Sequence, residues 1–491
     1  MKLYLRGHDY KYAAEQMLLT MYPNERPEYP EGSPEGDRAE LRLSCGEKYV
    51  TATCKLVLKD EAWRGKSAFR KELITDEIAK DKLCQRAIKN AFYRASLASG
   101  HKKPAWGALT GVRPGKVFTN LMEGSDADAA MRRFISEYDV SPGRAALCRD
   151  TSLVTREIES SLDEKDICLY VGIPFCPTRC NYCSFVSQSV EKSMKLIPPF
   201  MDALIKEVDA VAEAVNKLGL RVISIYMGGG TPTTLNPQQL EHLCSRLEEK
   251  FDLSALREYT VEAGRPDTIT EEKLRVLKAH GVDRVSVNPQ TMSDSVLEAI
   301  GRRHTAQDII NALALVRRVG GMAVNMDLIA GLTTDTVQGF EETLNTVLTL
   351  EPENITVHTL SLKKGSRITL EGSAIPTAAE VGRMLDIAGE KLRNADYAPY
   401  YLYRQKFMSG GFENLGWTKK GYVNLYNVCI MEELCSIVAM GGGGSTKLVA
   451  KNGGKSIRIF APKYPVEYIN NIDKTCETKQ GIIDFYNSQE D

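Results

Sequence analysis

The spacing of apolar and polar residues divides this 491-residue chain into regions with different predicted architectures. Near the start, three short runs, of which Lys2–Arg6 is the first, alternate apolar and polar residues with the period of a half-buried strand. Helical spacing occupies 10–22 and 75–98. We predict an N-terminal α+β domain over residues 1–122, followed by a helical linker over 123–165.

Between residues 166 and 370, strand-like apolar runs alternate regularly with stretches of helical period. The predicted strands are 166–171, 222–226, 258–262, 284–287, 323–329 and 354–358. Such alternation favours parallel strands covered by helices. Six units are fewer than the eight of a complete barrel, so the fold class predicted is α/β, a partial (β/α)6 barrel of the TIM type. Its chemistry is expected at the carboxyl ends of the strands.

The period changes again after residue 370. A helical stretch at 378–395 is followed by a strand-like run at 399–404, a glycine run at 441–444 and a final helical stretch. We predict a C-terminal α+β subdomain over 371–491 that completes the barrel wall and covers its mouth.

Composition argues against a nucleic-acid-binding, membrane-spanning or disulfide-rich secreted protein. A formal net charge of -1 provides no basic field for nucleic acid. No apolar run approaches the ~20 residues that a membrane-spanning helix needs, and the first residues lack the apolar region of a signal peptide. Twelve cysteines are too sparse for a disulfide scaffold. We predict a cytoplasmic protein without a membrane span and without a nucleic-acid partner.

Cys176, Cys180 and Cys183 concentrate three thiols within eight residues. Because a [4Fe–4S] cluster is usually held by four cysteines, three would leave one iron open to a ligand that is not protein. A structural zinc site is the alternative, but it favours a second pair of cysteines. Cys429 and Cys435 are the nearest candidates and are more widely spaced. The nine other cysteines are scattered, and most are expected to be small buried hydrophobes.

The Cys-x3-Cys-x2-Cys spacing resembles the signature of the radical S-adenosylmethionine superfamily. That resemblance implies a [4Fe–4S] cluster on the three cysteines, with S-adenosylmethionine on the open iron as the source of a 5′-deoxyadenosyl radical. Four blocks in order resemble the oxygen-independent coproporphyrinogen III dehydrogenase family: 170–176, 228–233, 301–305 and 327–332. Further segments, among them 106–116, are similar to the HemZ branch of that family.

The resemblance also implies residue roles. The matching positions for cofactor contact are Tyr170, Tyr182, Gly229, Gly230, Thr231, Glu262, Gln290, Arg302 and Asp327. Tyr170 is additionally expected to act in catalysis by positioning the cofactor near the cluster. Each of these residues lies at or near the end of a predicted strand or within the cysteine motif.

The implied activity is oxidative decarboxylation of coproporphyrinogen III propionates to vinyl groups, giving protoporphyrinogen IX. The implied partners are a tetrapyrrole substrate and a low-potential electron donor such as flavodoxin or ferredoxin. Basic side chains should bind the substrate carboxylates because a guanidinium matches a carboxylate well. The candidates are Arg265, Arg303, Arg404 and Lys406.

Two departures from the family pattern concern the substrate. Gly172 stands where the dehydrogenase proper has a histidine, and Phe185 stands where it has a further cysteine. Three alternatives therefore remain open: a haem-binding and haem-delivery protein, a radical enzyme acting on haem or another tetrapyrrole by methyl transfer and ring opening, and a scaffold with a zinc site.

Overall fold

The structure, a computed structural model, describes residues 1–183, 188–361, 375–405, 409–450 and 456–490. Phe185 and Lys406 lie outside these ranges. The chain divides into two compact units, Met1–Arg149 and Asp150–Asp491. The finer boundaries predicted after residues 122, 165 and 370 stay predictions. None of the described helices is both long enough and apolar enough to cross a membrane.

The first unit contains a four-stranded sheet in the order β1-β2-β3-β4, with β1 parallel to β2 and the other pairs antiparallel. The strands are β1 (Lys2–Arg6), β2 (Arg38–Cys45), β3 (Tyr49–Leu58) and β4 (Glu61–Arg70). The helices, the last of which leads into the second unit, are α1 (Lys11–Met21), α2 (Glu77–Ala98), α3 (Pro114–Leu121), α4 (Ala127–Tyr138) and α5 (Pro142–Ser160).

The alternation pattern did not predict β4, and the structure gives the reason. Gly65 and Ser67 are the two fully buried residues of β4, and both are small; Trp63 and Phe69 on the same face are only half-buried. A Cβ at Gly65 would lie 2.0 Å from the carbonyl oxygen of Ala91 on α2. The helix therefore packs against the bare backbone of the strand at Gly65, and the small residues in the middle of the face interrupt its apolar alternation.

The second unit is built on one eleven-stranded sheet. Its order is β13-β14-β12-β11-β10-β9-β8-β5-β15-β16-β17. The strands are β5 (Asp166–Ile173), β8 (Arg221–Gly229), β9 (Glu258–Glu262), β10 (Arg284–Ser286), β11 (Ala323–Ala330), β12 (Asn354–Thr359), β13 (Ala398–Arg404), β14 (Glu413–Thr418), β15 (Ser436–Gly441), β16 (Ser445–Leu448) and β17 (Ile457–Phe460). A separate small sheet pairs β6 (Phe175–Cys176) with β7 (Gln188–Ser189).

Helices connect the strands of this unit. They are α6 (Val190–Ser193), α7 (Ile197–Lys217), α8 (Pro237–Lys250), α9 (Glu271–Ala279), α10 (Asp294–Ala299), α11 (Ala306–Val319), α12 (Val337–Thr349), α13 (Ala378–Asn394), α14 (Leu425–Glu432), α15 (Pro465–Asn470), α16 (Ile472–Glu477) and α17 (Gln480–Glu490). The predicted α/β class with a partial barrel is confirmed: all six predicted strands are present and parallel. In the described part of the chain, the end strands β13 and β17 do not pair, so the sheet stays open.

The C-terminal segment extends the barrel sheet at both ends. Strand β15 adds a seventh parallel strand beside β5, while β14 pairs with β12 in the antiparallel sense. Helix α14 lies at the amino ends of the strands, where Glu258 accepts hydrogen bonds from the backbone nitrogens of Leu425 at 2.8 Å and Tyr426 at 3.2 Å. Arg284 lies 3.4 Å from the Glu258 carboxylate and balances its buried charge.

A buried ion pair attaches the C-terminal helices to the barrel. The fully buried Glu207 on α7 forms an ion pair with Lys479 at 2.6 Å and accepts a hydrogen bond from the backbone N–H of Gly441 at 2.7 Å. The Tyr468 hydroxyl donates to the same carboxylate at 2.5 Å. Because each charge is paired and hydrogen-bonded, the group is tolerated inside the protein.

We expect Lys479→Met to lower the free energy of unfolding by about 3 kcal/mol, because it leaves the buried Glu207 charge without its counter-ion. Lys206→Met is the matched control: Lys206 also pairs with a carboxylate, Asp473, but its side chain is 56% exposed. The control should change stability by less than about 1 kcal/mol. Urea denaturation measures both. Equal effects of the two substitutions would contradict a structural role for the buried pair.

Candidate functional site

The cysteine motif lies on a loop that the structure closes at its base. Strands β6 and β7 pair Cys176 with Ser189, and the Ser189 hydroxyl donates to the Pro177 carbonyl oxygen at 3.0 Å. Further along the loop, the Asn181 backbone N–H donates to the carbonyl oxygen of Ile300 at 3.0 Å. The three cysteines are half-buried, so their sulfurs are held in place but remain reachable.

Two donors point at the sulfurs of this loop. The Thr231 hydroxyl donates to Cys176 Sγ at 3.6 Å, and Arg265 Nη1 donates to Cys180 Sγ at 3.9 Å. Both stabilise anionic sulfur, as the protein surroundings of iron–sulfur ligands do. Three half-buried thiols on one anchored loop, with donors directed at them, fit a cluster that takes three protein ligands.

A buried guanidinium connects this loop to the barrel. Arg302 donates to the Tyr182 hydroxyl at 3.1 Å, to the Asn288 carbonyl oxygen at 2.6 Å and to the Gly264 carbonyl oxygen at 3.4 Å. These acceptors belong to the cysteine loop and to the segments after β10 and β9. Its Nε is buried and has no hydrogen-bond partner among the described residues. One donor at the centre of the site is therefore available to a ligand.

The glycine run after β8 packs directly on the segment leading to the cysteines. Gly229 has a φ of +102°, which favours glycine. A Cβ at Gly230 would lie 2.4 Å from the Phe175 carbonyl oxygen. The N–H groups of Gly230 and Thr231 donate to the carbonyl oxygens of Ile173 at 2.8 Å and Phe175 at 2.7 Å. Since these donors are used within the chain, this stretch can offer a ligand acceptors but not these N–H groups.

Two carboxyl groups of the barrel differ in protonation. Burial raises the pKa of Glu262 to about 7, although the Tyr226 hydroxyl, which donates to it at 2.6 Å, opposes the rise. Burial also acts on Asp327, but His358, 3.8 Å away, and a 2.8 Å hydrogen bond from Asn325 hold the pKa of that carboxyl below its ordinary value. At neutral pH Asp327 is thus ionised, whereas the carboxyl group of Glu262 titrates near that pH.

Aromatic rings form the floor beside Glu262. Tyr226 stacks on Tyr426 with ring centroids 4.4 Å apart, and Tyr170 stacks against both at 6.4 and 6.3 Å. Burial and then the Glu262 carboxylate raise the pKa of Tyr170, which stays a neutral hydroxyl. A Cβ at Gly229 would lie 3.1 Å from that hydroxyl, so Tyr170 borders the glycine run.

The predicted contact residues form one connected set. Gln290 has a φ of +67°, and its backbone N–H donates to the Asp327 carbonyl oxygen at 2.8 Å. The Asn288 side chain accepts the Asp327 N–H at 3.2 Å while its carbonyl oxygen accepts from Arg302. Thr231 and Gly230 link the glycine run to the cysteine segment. The role of each residue as a cofactor contact stays a prediction.

The four basic candidates for carboxylate binding occupy different surroundings. Arg265 is buried and donates to the Thr178 hydroxyl at 3.1 Å on the cysteine loop. Arg404 is buried and donates to the Gly411 carbonyl oxygen at 2.7 Å. Arg303 is exposed and pairs with Glu191. Lys406 lies outside the described residues. Of the three candidates that the structure describes, Arg303 is therefore the most accessible to a substrate.

Sequence reasoning missed three residues of the site. Tyr226 and Tyr426 complete the aromatic floor, and Asn288 links Arg302 to Asp327. Tyr226 lies two residues before the glycine run and Asn288 lies two residues before Gln290, so both were close to recognised positions. Tyr426 lies about 200 residues from Tyr226 in the sequence, and no local pattern connects them.

The structure explains Gly172, one of the two departures from the family pattern. Gly172 on β5 pairs with Gly441 on β15. A Cβ at Gly441 would lie 2.2 Å from the Gly172 carbonyl oxygen, and a Cβ at Gly172 would lie 2.9 Å from the Gly442 carbonyl oxygen. The two backbones approach so closely that a histidine at position 172 would not fit without movement of β15.

Comparison with known proteins gives consistent matches. The Radical SAM superfamily matches residues 170–347. The chain is 36% identical over 382 residues to the oxygen-independent coproporphyrinogen-III oxidase-like protein HemZ of Bacillus subtilis (strain 168), covering 76% of each chain. It is 34% identical over 192 residues to the heme chaperone HemW of the same organism, covering 39% of this chain and 49% of that relative.

Among solved structures, the coproporphyrinogen III oxidase HemN from Escherichia coli matches with a TM-score of 0.53 and 22% sequence identity. The match covers 66% of this chain and 73% of that one. At this identity the likeness shows a shared fold, which agrees with the barrel described above.

The raised pKa of Glu262 predicts a specific pH dependence of stability in the ligand-free chain. Between about pH 4.5 and about pH 7 the folded state binds more protons at this carboxyl than the unfolded state does, so this group makes stability fall as pH rises. Glu262→Gln removes the titrating carboxyl and with it this decrease of stability with rising pH. The free energy of unfolding of the variant minus that of the parent should increase across this window and level off above it.

Urea denaturation at a series of pH values checks this. Tyr226→Phe is the companion variant: it removes the hydroxyl that lowers the Glu262 pKa, so the window should extend upward. A difference between Glu262→Gln and parent that does not vary with pH would contradict the raised pKa.

Proposed function

The chain belongs to the HemZ-like branch of the oxygen-independent coproporphyrinogen III oxidase family, within the radical S-adenosylmethionine superfamily, and on that premise we propose that it converts coproporphyrinogen III propionates to vinyl groups. The observation that carries the proposal is the connected set around the cysteine loop. Arg302, Asn288 and the glycine run link the segment of the three cysteines to the barrel carboxyl groups. The chain that carries this arrangement is 36% identical to the HemZ protein of Bacillus subtilis.

When bound, the [4Fe–4S] cluster and S-adenosylmethionine supply a 5′-deoxyadenosyl radical that abstracts hydrogen. Cys176, Cys180 and Cys183 would hold the cluster. The carbonyl oxygens of the glycine run would accept from the methionine amino group, because the neighbouring N–H groups are already used. The Arg302 Nε would donate to an acceptor of the cofactor, and its other nitrogens keep the cysteine loop in register.

The two carboxyl groups would have different tasks. Asp327, which is ionised at neutral pH, suits an amino or hydroxyl donor of a ligand. Glu262, with its pKa near 7, can either accept or donate a hydrogen bond, and it lies beside the tyrosine floor. Gln290, Tyr170 and Tyr182 would border the bound cofactor, in agreement with their contacts to Asp327, the glycine run and Arg302.

The proposed reaction balances on the substrate. Removal of one hydrogen atom from the β-carbon of a propionate leaves a carbon radical. The bond to the carboxylate carbon then breaks, carbon dioxide leaves, and one electron passes to an external acceptor as the vinyl group forms. Two such events give protoporphyrinogen IX. This chemistry requires a low-potential electron donor, such as flavodoxin or ferredoxin, as a partner.

A haem-binding or haem-delivery function is the second candidate. HemW, a heme chaperone, is among the relatives. Gly172 also supports it, since β15 occupies the space that the histidine of the dehydrogenase proper would need. Under this alternative the barrel would bind a finished tetrapyrrole and would not decarboxylate its precursor.

Anaerobic turnover with coproporphyrinogen III, followed by product masses, separates the candidates. We expect loss of one carbon dioxide and two hydrogens per vinyl group formed, with none in Cys176→Ala. Cofactor cleavage without decarboxylation, accompanied by tight haem binding, would favour haem delivery. Conversion of added haem to a methylated or ring-opened product would favour the other radical reaction. Zinc in place of iron and sulfide after anaerobic purification would contradict all radical chemistry.

Arg303 is the residue we expect to bind a propionate of the substrate. Its guanidinium is 68% exposed, follows Arg302 directly and pairs only with the exposed Glu191 among the ion pairs of the described chain. Arg303→Ala should raise KM for coproporphyrinogen by about tenfold, equivalent to the ~1.4 kcal/mol of a charge-assisted hydrogen bond. Cleavage of S-adenosylmethionine without substrate should not change.

Arg318→Ala is the matched control for Arg303. Arg318 is 66% exposed and also pairs with a glutamate, Glu271, but it lies on α11 away from the cysteine loop. Its substitution should leave KM within twofold of the parent, as expected for a surface ion pair. If both variants have the same KM as the parent, Arg303 does not bind the substrate.

A further inference from the structure

Three cysteines that are far apart in sequence meet inside the second unit. Cys168 lies on β5, Cys429 on α14 and Cys435 immediately before β15. Their sulfur atoms all lie within 4.8 Å of one another, and Cys168 Sγ is 3.7 Å from Cys435 Sγ. All three side chains are buried. This buried triad is distinct from the cysteine loop and takes no part in the reaction proposed above.

The sulfurs lie close enough together to be ligands of a single ion. Zinc–sulfur bonds of about 2.3 Å in tetrahedral geometry place neighbouring sulfurs about 3.8 Å apart. The 3.7 Å separation of Cys168 and Cys435 agrees with this value. The thiols of the cysteine loop are not grouped this closely: within the described ranges, the buried triad is the one set of three ligand residues whose atoms come within 4.8 Å. A cluster needs more space between its ligands than an ion does.

Packing alone gives little reason for this arrangement. The triad lies in an apolar cluster whose other members include Tyr400, Tyr426 and Ile437. A core of this kind is filled by any side chain of suitable size, whereas three adjacent sulfurs from three separate elements match the preference of thiophilic ions for thiolate. A disulfide between two of the cysteines would leave the third unexplained.

We propose that Cys168, Cys429 and Cys435 bind one thiophilic metal ion with a filled d shell, zinc(II) or copper(I). No fourth His, Cys, Asp or Glu ligand joins the group in the described part of the chain, so the protein supplies three sulfurs. Three thiolates and no polar companion ligand are the donor set of a soft ion and would not hold magnesium or calcium.

The position of the triad gives the ion a structural consequence. Cys168 lies two residues before Tyr170 on the same strand, so both side chains point to the same face. Cys429 lies three residues after Tyr426 on α14, so both lie on neighbouring positions of one helix face. An ion bound here would connect the helix to β5 and β15 and hold Tyr426 against Tyr226 and Tyr170.

The experiment uses the full chain, reconstituted anaerobically with iron and sulfide so that the cysteine loop is occupied. It is then incubated with zinc(II), or with copper(I) in a separate sample, and passed over a desalting column with a weak chelator. We expect one zinc or copper ion per chain in addition to the iron. Cys435→Ser should lose that ion and keep the iron. Cys244→Ser, which replaces another buried cysteine, should keep both.

X-ray absorption at the edge of the bound metal needs no variant and keeps the test decisive if Cys435→Ser does not fold. Three sulfur neighbours at about 2.3 Å would support the site. Coordination mainly by nitrogen or oxygen would overturn it, as would metal retention equal in the parent and Cys435→Ser. A disulfide between Cys168 and Cys435 in the freshly isolated chain, with no zinc or copper bound, would also overturn it.

Discussion

The buried guanidinium of Arg302 is the interaction on which the site depends most. It donates to the cysteine loop through Tyr182 and to the segments after two barrel strands through Asn288 and Gly264. A charged group in such surroundings is stable only when its donors are used, so its three partners and their loops constrain one another. The remaining Nε is buried and has no hydrogen-bond partner in the described part of the chain.

The opposite end of the barrel has its own constraint. Glu258 carries a buried charge that Arg284 balances and that the first N–H groups of α14 stabilise. Helix α14 is thereby fixed beneath the strands, and Tyr426 reaches the floor of the site from below. Arg302 thus holds the cysteine loop at the carboxyl ends of the strands, and α14 holds Tyr426 of the aromatic floor from their amino ends. The glycine pair Gly172 and Gly441 allows β15 to lie close enough to complete the wall between them.

The residues that suit the cofactors are different from those expected to recognise the substrate. The cysteine loop, Arg302, the glycine run and the barrel carboxyl groups suit the cofactors shared by the superfamily. Under the proposed function, the substrate would be recognised elsewhere, at exposed groups such as Arg303 and at positions such as Gly172. The close contact at Gly172 is a departure from the family pattern, because it replaces a side chain with backbone.

The strands of the barrel were predictable because they alternate with helices of ordinary length and carry continuous apolar residues. β4 was not predictable, because Gly65 and Ser67 in the middle of its inner face interrupt the apolar alternation between Trp63 and Phe69. The cysteine motif and the residues at the strand ends were likewise recognisable from local spacing. The addition of β15 beside β5 was not, since parallel pairing between distant segments has no local signature.

The α/β class, the cysteine loop and the residues at the carboxyl ends of the strands follow from local patterns, because each depends on neighbours in the chain. Which distant side chains meet depends on how the whole second unit folds: Arg302 meets Tyr182, Tyr426 meets Tyr226, and Cys168 meets Cys429 and Cys435. In the sequence these three cysteines were scattered small hydrophobes. The folding of β5, α14 and β15 into one core is what places their sulfurs at the spacing of metal ligands.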